Sequence, residues 1–211
     1  MNMNLIDSLK WRYATKVFDK NKKVSENDLQ EVLEAFRLSA SSFWLQPWKV
    51  IIVENPETRA KLLPVSWNQS QIVDASHLLV LARVENPSEA YIDTYLDYLT
   101  QIRWVSRADV SGYEQMMKGF LTSKSVEERN IWASRQVNIA LGNTLAFLAS
   151  KHIDACPIEW FDPKAYNEIL GLEKLWLFAN VVLPIWYRSE EDKYATLPKV
   201  RFEMDDIVVK M

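Results

Sequence analysis

Arg12 and Lys16 stand four residues apart, and Lys199 and Arg201 stand two apart near the other end of the chain. On a continuous helix the first pair shares a face; on an extended segment the second pair does. A guanidinium fork matches phosphate oxygens and a lysine adds a movable point charge, so the two pairs brought together would hold an anion. Each pair taken alone reads as solvated surface. A second set is neutral: Ser41, Ser42, Asn68, Gln71 and Gln136 offer donors and acceptors suited to a flat heterocycle with several polar edges, or, singly, to surface caps and turns. No nucleophile and base stand out as a pair. His77 and His152 are the only histidines and Cys156 is the only cysteine, too few for a zinc site or a CxxC redox pair. No metal is expected, and any chemistry is expected from a bound cofactor. The four glycines, Gly112, Gly119, Gly142 and Gly171, fit neither a Walker loop nor a GxGxxG turn. Side-chain cations must therefore do much of the work of holding any phosphate.

The elements that position these residues are read from periodicity. Apolar Leu5, Ile6, Leu9 and Trp11 suggest a short helix before the basic run. Ser25 with Asp28 resembles a capping box, and Leu29, Val32, Leu33 and Phe36 then follow helical spacing. Strands are expected at Val50 to Val53, Leu78 to Val84 and Trp176 to Trp186. Pro56 opens a short helix to about Leu63, and Ile92, Tyr95, Leu96, Leu99 and Ile102 mark another. Ser125 and Glu128 form a second capping box, opening a central helix of about 25 residues. Asp162, Pro163 and Gly171 frame one more. The polar stretch from Trp104 to Ser125, with Gly112 and Gly119, is expected to be a mobile excursion. Residues 202–211 are expected to form an extended tail, with Ile207 to Val209 as an edge strand. The alternation of strands and helices gives an α+β architecture around one sheet, in a single domain over residues 1–211.

Composition excludes several function classes. The 25 Lys or Arg against 28 Asp or Glu give a formal charge of -3, without the basic excess a dedicated nucleic-acid binder uses. Leu175 to Tyr187, the longest apolar stretch, is too short to span a bilayer and is interrupted by Asn180 and Pro184. Met1 to Lys16 carries no apolar core suited to a secretory signal, and a lone cysteine fits a reducing compartment, so a cytoplasmic protein with no membrane partner is expected.

Taken together, four stretches resemble the FMN-dependent nitroreductase family: Arg12-Tyr13-Ala14-Thr15-Lys16, Ser41-Ser42-Phe43-Trp44-Leu45-Gln46-Pro47-Trp48, Pro157-Ile158-Glu159-Trp160-Phe161-Asp162 and Leu197-Pro198-Lys199-Val200-Arg201. They appear in family order across nearly the whole chain. The resemblance implies a three-layer fold, a central mixed and mainly antiparallel sheet flanked by helices, in an intertwined homodimer with FMN at the subunit interface. It implies that Arg12, Lys199 and Arg201 hold the phosphate beside Tyr13 and Ala14, and that Ser41 and Ser42 come across the interface. Asn68 would bond the pyrimidine edge of the flavin. Pro157 and Ile158 would pack on its face, and the amides of Glu159 and Trp160 would approach N5. Lys16 would lie by the N1 and O2 edge, and Gln136 and Trp44 would also contact the cofactor. Phe43, Trp44, Asn68 and Gln71 would meet the substrate.

The activity so implied is ping-pong hydride transfer from NADH or NADPH through flavin N5 to a small nitroaromatic or quinone-like acceptor. The excursion at 104–125 corresponds to the family's variable, lid-like region. Alternatives on the same fold are pteridine reduction, dehalogenation, heterocycle oxidation or a non-catalytic FMN-binding role. Three residues depart from the common pattern: Ala14 where many members have Ser, Trp44 where Asn is frequent, and Trp160 where Gly is frequent. The two indoles are expected to narrow the space over the flavin.

Overall fold

The computed structural model describes residues 4–211, so residues 1–3 of the expected single domain lie outside the described part. In chain order the helices are α1 (Leu5–Trp11), α2 (Glu26–Arg37), α3 (Pro56–Leu62), α4 (Gln71–Asp74), α5 (Glu89–Arg103), α6 (Ser111–Thr122), α7 (Val126–Ser150), α8 (Pro163–Leu170) and α9 (Met204–Ile207). The strands are β1 (Trp48–Val53), β2 (His77–Val84), β3 (Asp154–Ala155) and β4 (Leu177–Trp186). They form one sheet in the order β1-β2-β4-β3, and every ladder is antiparallel. Among the described residues the one parallel pairing is an isolated bridge between Ala14 and Ala155, and that bridge is the whole of the mixed character expected.

Both faces of the sheet are covered, which is why β2 reads as an unbroken apolar run. Leu79 and Leu81 of β2 pack with Val32 and Phe36 of α2 and Val137 and Leu148 of α7. Leu78, Val80 and Ala82 point the other way, onto Leu62 of α3 and Tyr166 of α8. Each such buried side chain contributes about 1.5–3 kcal/mol relative to exposure. On β4 the pairing skips Asn180, since Leu81 pairs with Val181 and Ala82 with Ala179. The extra residue reverses the alternation, so Ala179 and Val182 face the α8 side although they are three apart. The helix α7 is the central one, with the reciprocal box between Ser125 and Glu128 present. At α2 the shorter Asp28 does not reach back to the cap backbone; Ser25 accepts from the Asp28 N–H and its hydroxyl bonds the Asp28 carboxylate instead.

The first helix ends before the basic run, as expected: α1 stops at Trp11, and Arg12 is already extended (φ -70°, ψ 144°). The stretch from Trp104 to Ser125, expected as a mobile excursion, is largely helical. It holds α6, whose Tyr113, Met117, Phe120 and Leu121 recur at helical spacing and close a third cluster with Ile92 and Leu96 of α5 and Trp132 of α7. Its two glycines have open space around them and interrupt nothing. Arg107 staples α6 to α5 through Asp93, Asp97 and Glu114, and Lys118 bridges Asp93 and Glu114 at 2.7 Å each. The edge strand expected at the tail is corrected: residues 202–211 carry the single turn α9, and Ile207 to Val209 have no ladder partner among the described residues. No helix among the described residues is long and apolar enough to cross a membrane.

Candidate active site

The extended segment after α1 runs beside β3. The Thr15 N–H donates to the Ala155 carbonyl and the Thr15 hydroxyl to Asp154, so Thr15 is buried. Alternation along the extended backbone then turns Arg12, Ala14 and Lys16 to the opposite side. Asp154 also takes a bidentate contact from Arg188, whose guanidinium lies 3.9 Å from the Trp11 ring and 4.5 Å from the Tyr13 ring. From the other end of the chain, Asp192 caps a 3-10 turn at Lys193–Thr196, after which Leu197 is extended (φ -75°, ψ 138°) and leads on to Lys199 and Arg201.

These two segments face one another across a cavity of about 730 Å³ lined by Arg12, Tyr13, Ala14, Lys16, Lys199 and Arg201 among others. The cations predicted to converge therefore do. Among the described residues no carboxylate forms an ion pair with Arg12, Lys16, Lys199 or Arg201; the nearby carboxylates are committed elsewhere, as Asp154 is to Arg188. Burial and then Arg201 pull the Arg12 guanidinium below its ordinary pKa. Burial, Arg12, Arg201 and Arg188 do the same to the Lys199 ammonium. Such a cluster of uncompensated positive charge has the electrostatics suited to an anion.

Lys16 joins this cavity to two others. Its ammonium lies 3.7 Å from the Cys156 sulfur, and it lines a space of about 460 Å³ along Cys156, Pro157, Ile158, Glu159 and Trp160. It also lines a space of about 750 Å³ with Trp67, Gln69, Gln71 and Trp160. Burial pushes the Cys156 thiol up in pKa, against the pull of Lys16. The stretch after Cys156 is held flat by reciprocal backbone bonds between Ile158 and Val182, at 2.8 and 3.0 Å. Ile158 is 3% exposed and its side chain belongs to the core, so it offers a ligand chiefly backbone, while half-buried Pro157 presents its ring. The Trp160 carbonyl accepts from Gln69 Nε2, which also donates to the Ser66 carbonyl. Trp160 itself is 79% exposed. It therefore borders the site without plugging it.

The remaining predicted residues sit elsewhere. Asn68 is exposed, and neither it nor Ser41, Ser42, Phe43, Trp44 or Gln136 lines these three cavities. Ser41, Ser42, Phe43 and Trp44 form one tight loop in which Phe43, Trp44 and Gln46 have positive φ, a conformation that costs non-glycine residues energy and persists only where surrounding contacts enforce it. Those contacts are visible. Ser41 Oγ accepts from the Gln46 N–H, Tyr113 donates to the Phe43 carbonyl, and Tyr91 donates to the Leu45 and Gln46 carbonyls. Gln136 accepts from the Ser42 N–H at 2.8 Å and donates to the Trp132 carbonyl. Each end of its amide thus makes one bond inside the chain, and Gln136 holds the loop. The Tyr13 hydroxyl is likewise committed, donating to Asp192 at 2.9 Å.

Asp192 and Tyr113 were not singled out from the sequence, and Trp67 reads there as a core or interface aromatic. Asp192 ends the acidic run Ser189-Glu190-Glu191-Asp192, which looks like solvated surface; its place two residues before Tyr194, as a turn cap, was the available signal. Trp67 precedes Asn68, and both adopt left-handed backbone that no spacing announces.

The nitroreductase family profile matches residues 9–185. A Staphylococcus saprophyticus relative, provisionally named an NAD(P)H nitroreductase, is 36% identical over 218 aligned positions covering 99% of this chain and 97% of that protein. The major NAD(P)H-flavin oxidoreductase of Aliivibrio fischeri is 32% identical over 221 positions, 99% of each chain. Among solved structures, one from Exiguobacterium sibiricum 255-15 in complex with FMN has the same fold, with a TM-score of 0.83 at 19% identity over 99% of this chain and 98% of that one. The cation cluster, the layered antiparallel sheet and the family match over most of the chain agree: this protein belongs to the nitroreductase family.

Proposed function

We propose that the protein is an NAD(P)H-dependent flavin oxidoreductase that holds FMN along the wall running from Arg12, Lys199 and Arg201, past Lys16, to Pro157 through Trp160. The single observation that carries this reading is the meeting of four cations, with no ion-paired carboxylate among the described residues, around a cavity that Lys16 joins to a flat, partly apolar wall. The residues fit a phosphate at one end and a planar ring at the other. Bound FMN supplies the hydride-accepting and hydride-donating chemistry that no side-chain pair here offers.

The chain's own groups supply binding and electrostatics. Arg12, Lys199 and Arg201 neutralise a phosphate. Lys16 sets a positive charge at the junction of the cavities, where it stabilises negative charge arriving on the ring edge. Pro157 gives the ring a hydrophobic floor, with the backbone of Ile158, Glu159 and Trp160 alongside. Gln71, 6% exposed and on the wall beside Lys16, supplies a polar contact for a substrate.

A homodimer completes the site in this reading. Leu5 and Ile6 of α1 (56% and 58% exposed), Ile139 of α7 and Phe202 of the tail leave apolar surface that a second copy would bury. The second copy would also bring Ser41, Ser42, Phe43 and Trp44 to the cavity that this chain's own loop does not line, with Asn68 at its rim. The donor, NADH or NADPH, and then a nitroaromatic or quinone-like acceptor would use the same open face in turn.

The test is the visible spectrum of the purified protein, followed by anaerobic mixing with NADH and with NADPH. A yellow protein that bleaches supports the enzyme. A yellow protein that does not bleach leaves a flavin-binding role only, and a colourless one that takes up no FMN ends the proposal.

A further inference from the structure

Every hydrogen bond made by the Asp192 carboxylate reaches one of the two arms that carry the four cations. It is 2% exposed. One oxygen accepts from the Tyr13 hydroxyl at 2.9 Å, the Lys16 N–H at 2.7 Å and the Val17 N–H at 3.1 Å. The other accepts from the Tyr194 N–H at 3.0 Å, at the start of the turn that leads to Lys199 and Arg201. Among the described residues no cation forms an ion pair with it, since Arg188, the nearby guanidinium, is spent on Asp154. A buried carboxylate without a cation is held by those donors alone.

We propose that Asp192 is a positioning residue, a clasp that keeps the N-terminal and C-terminal cationic arms at one spacing and thereby sets how strongly the site prefers a flavin carrying a phosphate over the same ring system without one. This rests on reading the cation cluster as the FMN phosphate site. The reason a clasp is needed lies in the charges themselves. Arg12, Lys199 and Arg201 repel one another across the cavity; upstream of Asp192 the Ser189 N–H donates to the Val17 carbonyl and Arg188 lies over the Trp11 and Tyr13 rings, but among the described residues no hydrogen bond of residues 193–211 reaches the 12–17 segment. The reason for Asp is the donor count. All four groups facing it are donors, and an ionised carboxylate is acceptor-only. An amide of the same shape has one oxygen, so an asparagine must turn its own NH₂ toward one arm. Burial raises the carboxyl pKa, and the N–H groups of Lys16, Val17 and Tyr194 with the Tyr13 hydroxyl outweigh it, so the group stays ionised.

The experiment compares FMN with riboflavin on the full-length protein freed of flavin, titrated by flavin fluorescence, for wild type, Asp192→Asn and Tyr13→Phe. The ratio of the two affinities isolates the phosphate contribution. Asp192→Asn is expected to lower that ratio roughly tenfold while leaving riboflavin affinity within about twofold, as loss of one well-aligned charged contact would do. Tyr13→Phe removes one of the four bonds and is expected to lower the ratio by a smaller factor. A folded Asp192→Asn protein with an unchanged ratio overturns the clasp, as does an equal fall in both affinities, which is what general loosening would give. Should Asp192→Asn fail to fold, an unchanged ratio in Tyr13→Phe overturns it. A wild-type protein without preference for FMN instead overturns the phosphate reading beneath it.

Discussion

Lys199→Ala has opposite expected effects with and without flavin, which makes it a demanding test of the cation cluster. In the flavin-free protein Lys199 is exposed and faces Arg12, Arg201 and Arg188, with no carboxylate paired to it among the described residues. Burial and these neighbours lower its pKa on folding. Folding therefore disfavours the charged ammonium, a penalty present below the folded pKa that fades as pH rises toward the unfolded value. Removing the side chain at neutral pH relieves it. Exposed charge pairs are worth about 0.2–1 kcal/mol, so the flavin-free protein is expected to melt unchanged or higher by at most about 4 °C. With FMN the sign reverses, because a charged hydrogen bond contributes about 1.5–3 kcal/mol and its loss weakens binding about 10- to 150-fold. Salt shrinks both effects, since the screening length falls from about 10 Å at 0.1 M to about 3 Å at 1 M. Fluorescence titration and a thermal melt at two salt concentrations measure all of this. A variant that binds FMN as wild type does, or a flavin-free variant that melts several degrees lower, would make Lys199 ordinary surface and refute the reasoning.

Lys16→Ala, with FMN still bound, is expected to lower the flavin reduction potential; one charge at about 4 Å in an effective dielectric near 20 sets an upper bound on the order of 90 mV, and an unchanged potential removes Lys16 from this role. Gln136→Leu strips the acceptor from the Ser42 N–H, and leaving that half-buried donor unpaired costs about 1–3 kcal/mol, to be read as a shift in denaturant midpoint; no shift would mean that the loop holds itself. Glu114, held at about 2 by Arg107 and then Lys118, lends α6 stability that is present above the unfolded carboxyl value and is lost as pH falls through the folded one. Hydrogen exchange in α6 should therefore rise on acidification while the middle of α7 stays protected, and parallel loss in both helices would contradict the staple.

The sheet and the central helix were legible because their signals are local and redundant. β2 is apolar on both faces, α7 has a reciprocal cap and no proline, and α8 is framed by Asp162, Pro163 and Gly171, whose φ of +65° is the left-handed turn that favours glycine. The candidate site was legible in composition and less so in conformation. A spacing of four lets Arg12 and Lys16 share a face on a helix and also on an extended segment, and Thr15, which the buried Asp154 draws inward, decides for the extended one. α6 was obscured by Gly112 and Gly119, turn signals that sit on its exterior, although Met117 and Leu121 carried the helical period. The structural parts played by Asp192 and Gln136 were not legible for a shared reason: both satisfy backbone groups distant in sequence, by 176 residues for Asp192 with Lys16 and 94 for Gln136 with Ser42.

The absence of a glycine-rich phosphate loop has a structural counterpart in this backbone. A phosphate nest needs free N–H groups, and the basic segment has spent most of its own. The Arg12 N–H caps α1 through Ser8, that of Thr15 pairs with Ala155, and those of Lys16 and Val17 go to Asp192. Arg12, Ala14 and Lys16 then face the cavity with a methyl between two cations, leaving charge at the ends and room in the middle. The segment opposite adds Lys199 and Arg201, two residues apart, to the same cavity. Two arms presenting cations in this way provide side-chain charge where a helix N-terminus would provide backbone dipole. That exchange makes the site sensitive to the spacing between arms from opposite ends of the chain, and so to the buried carboxylate that ties them together.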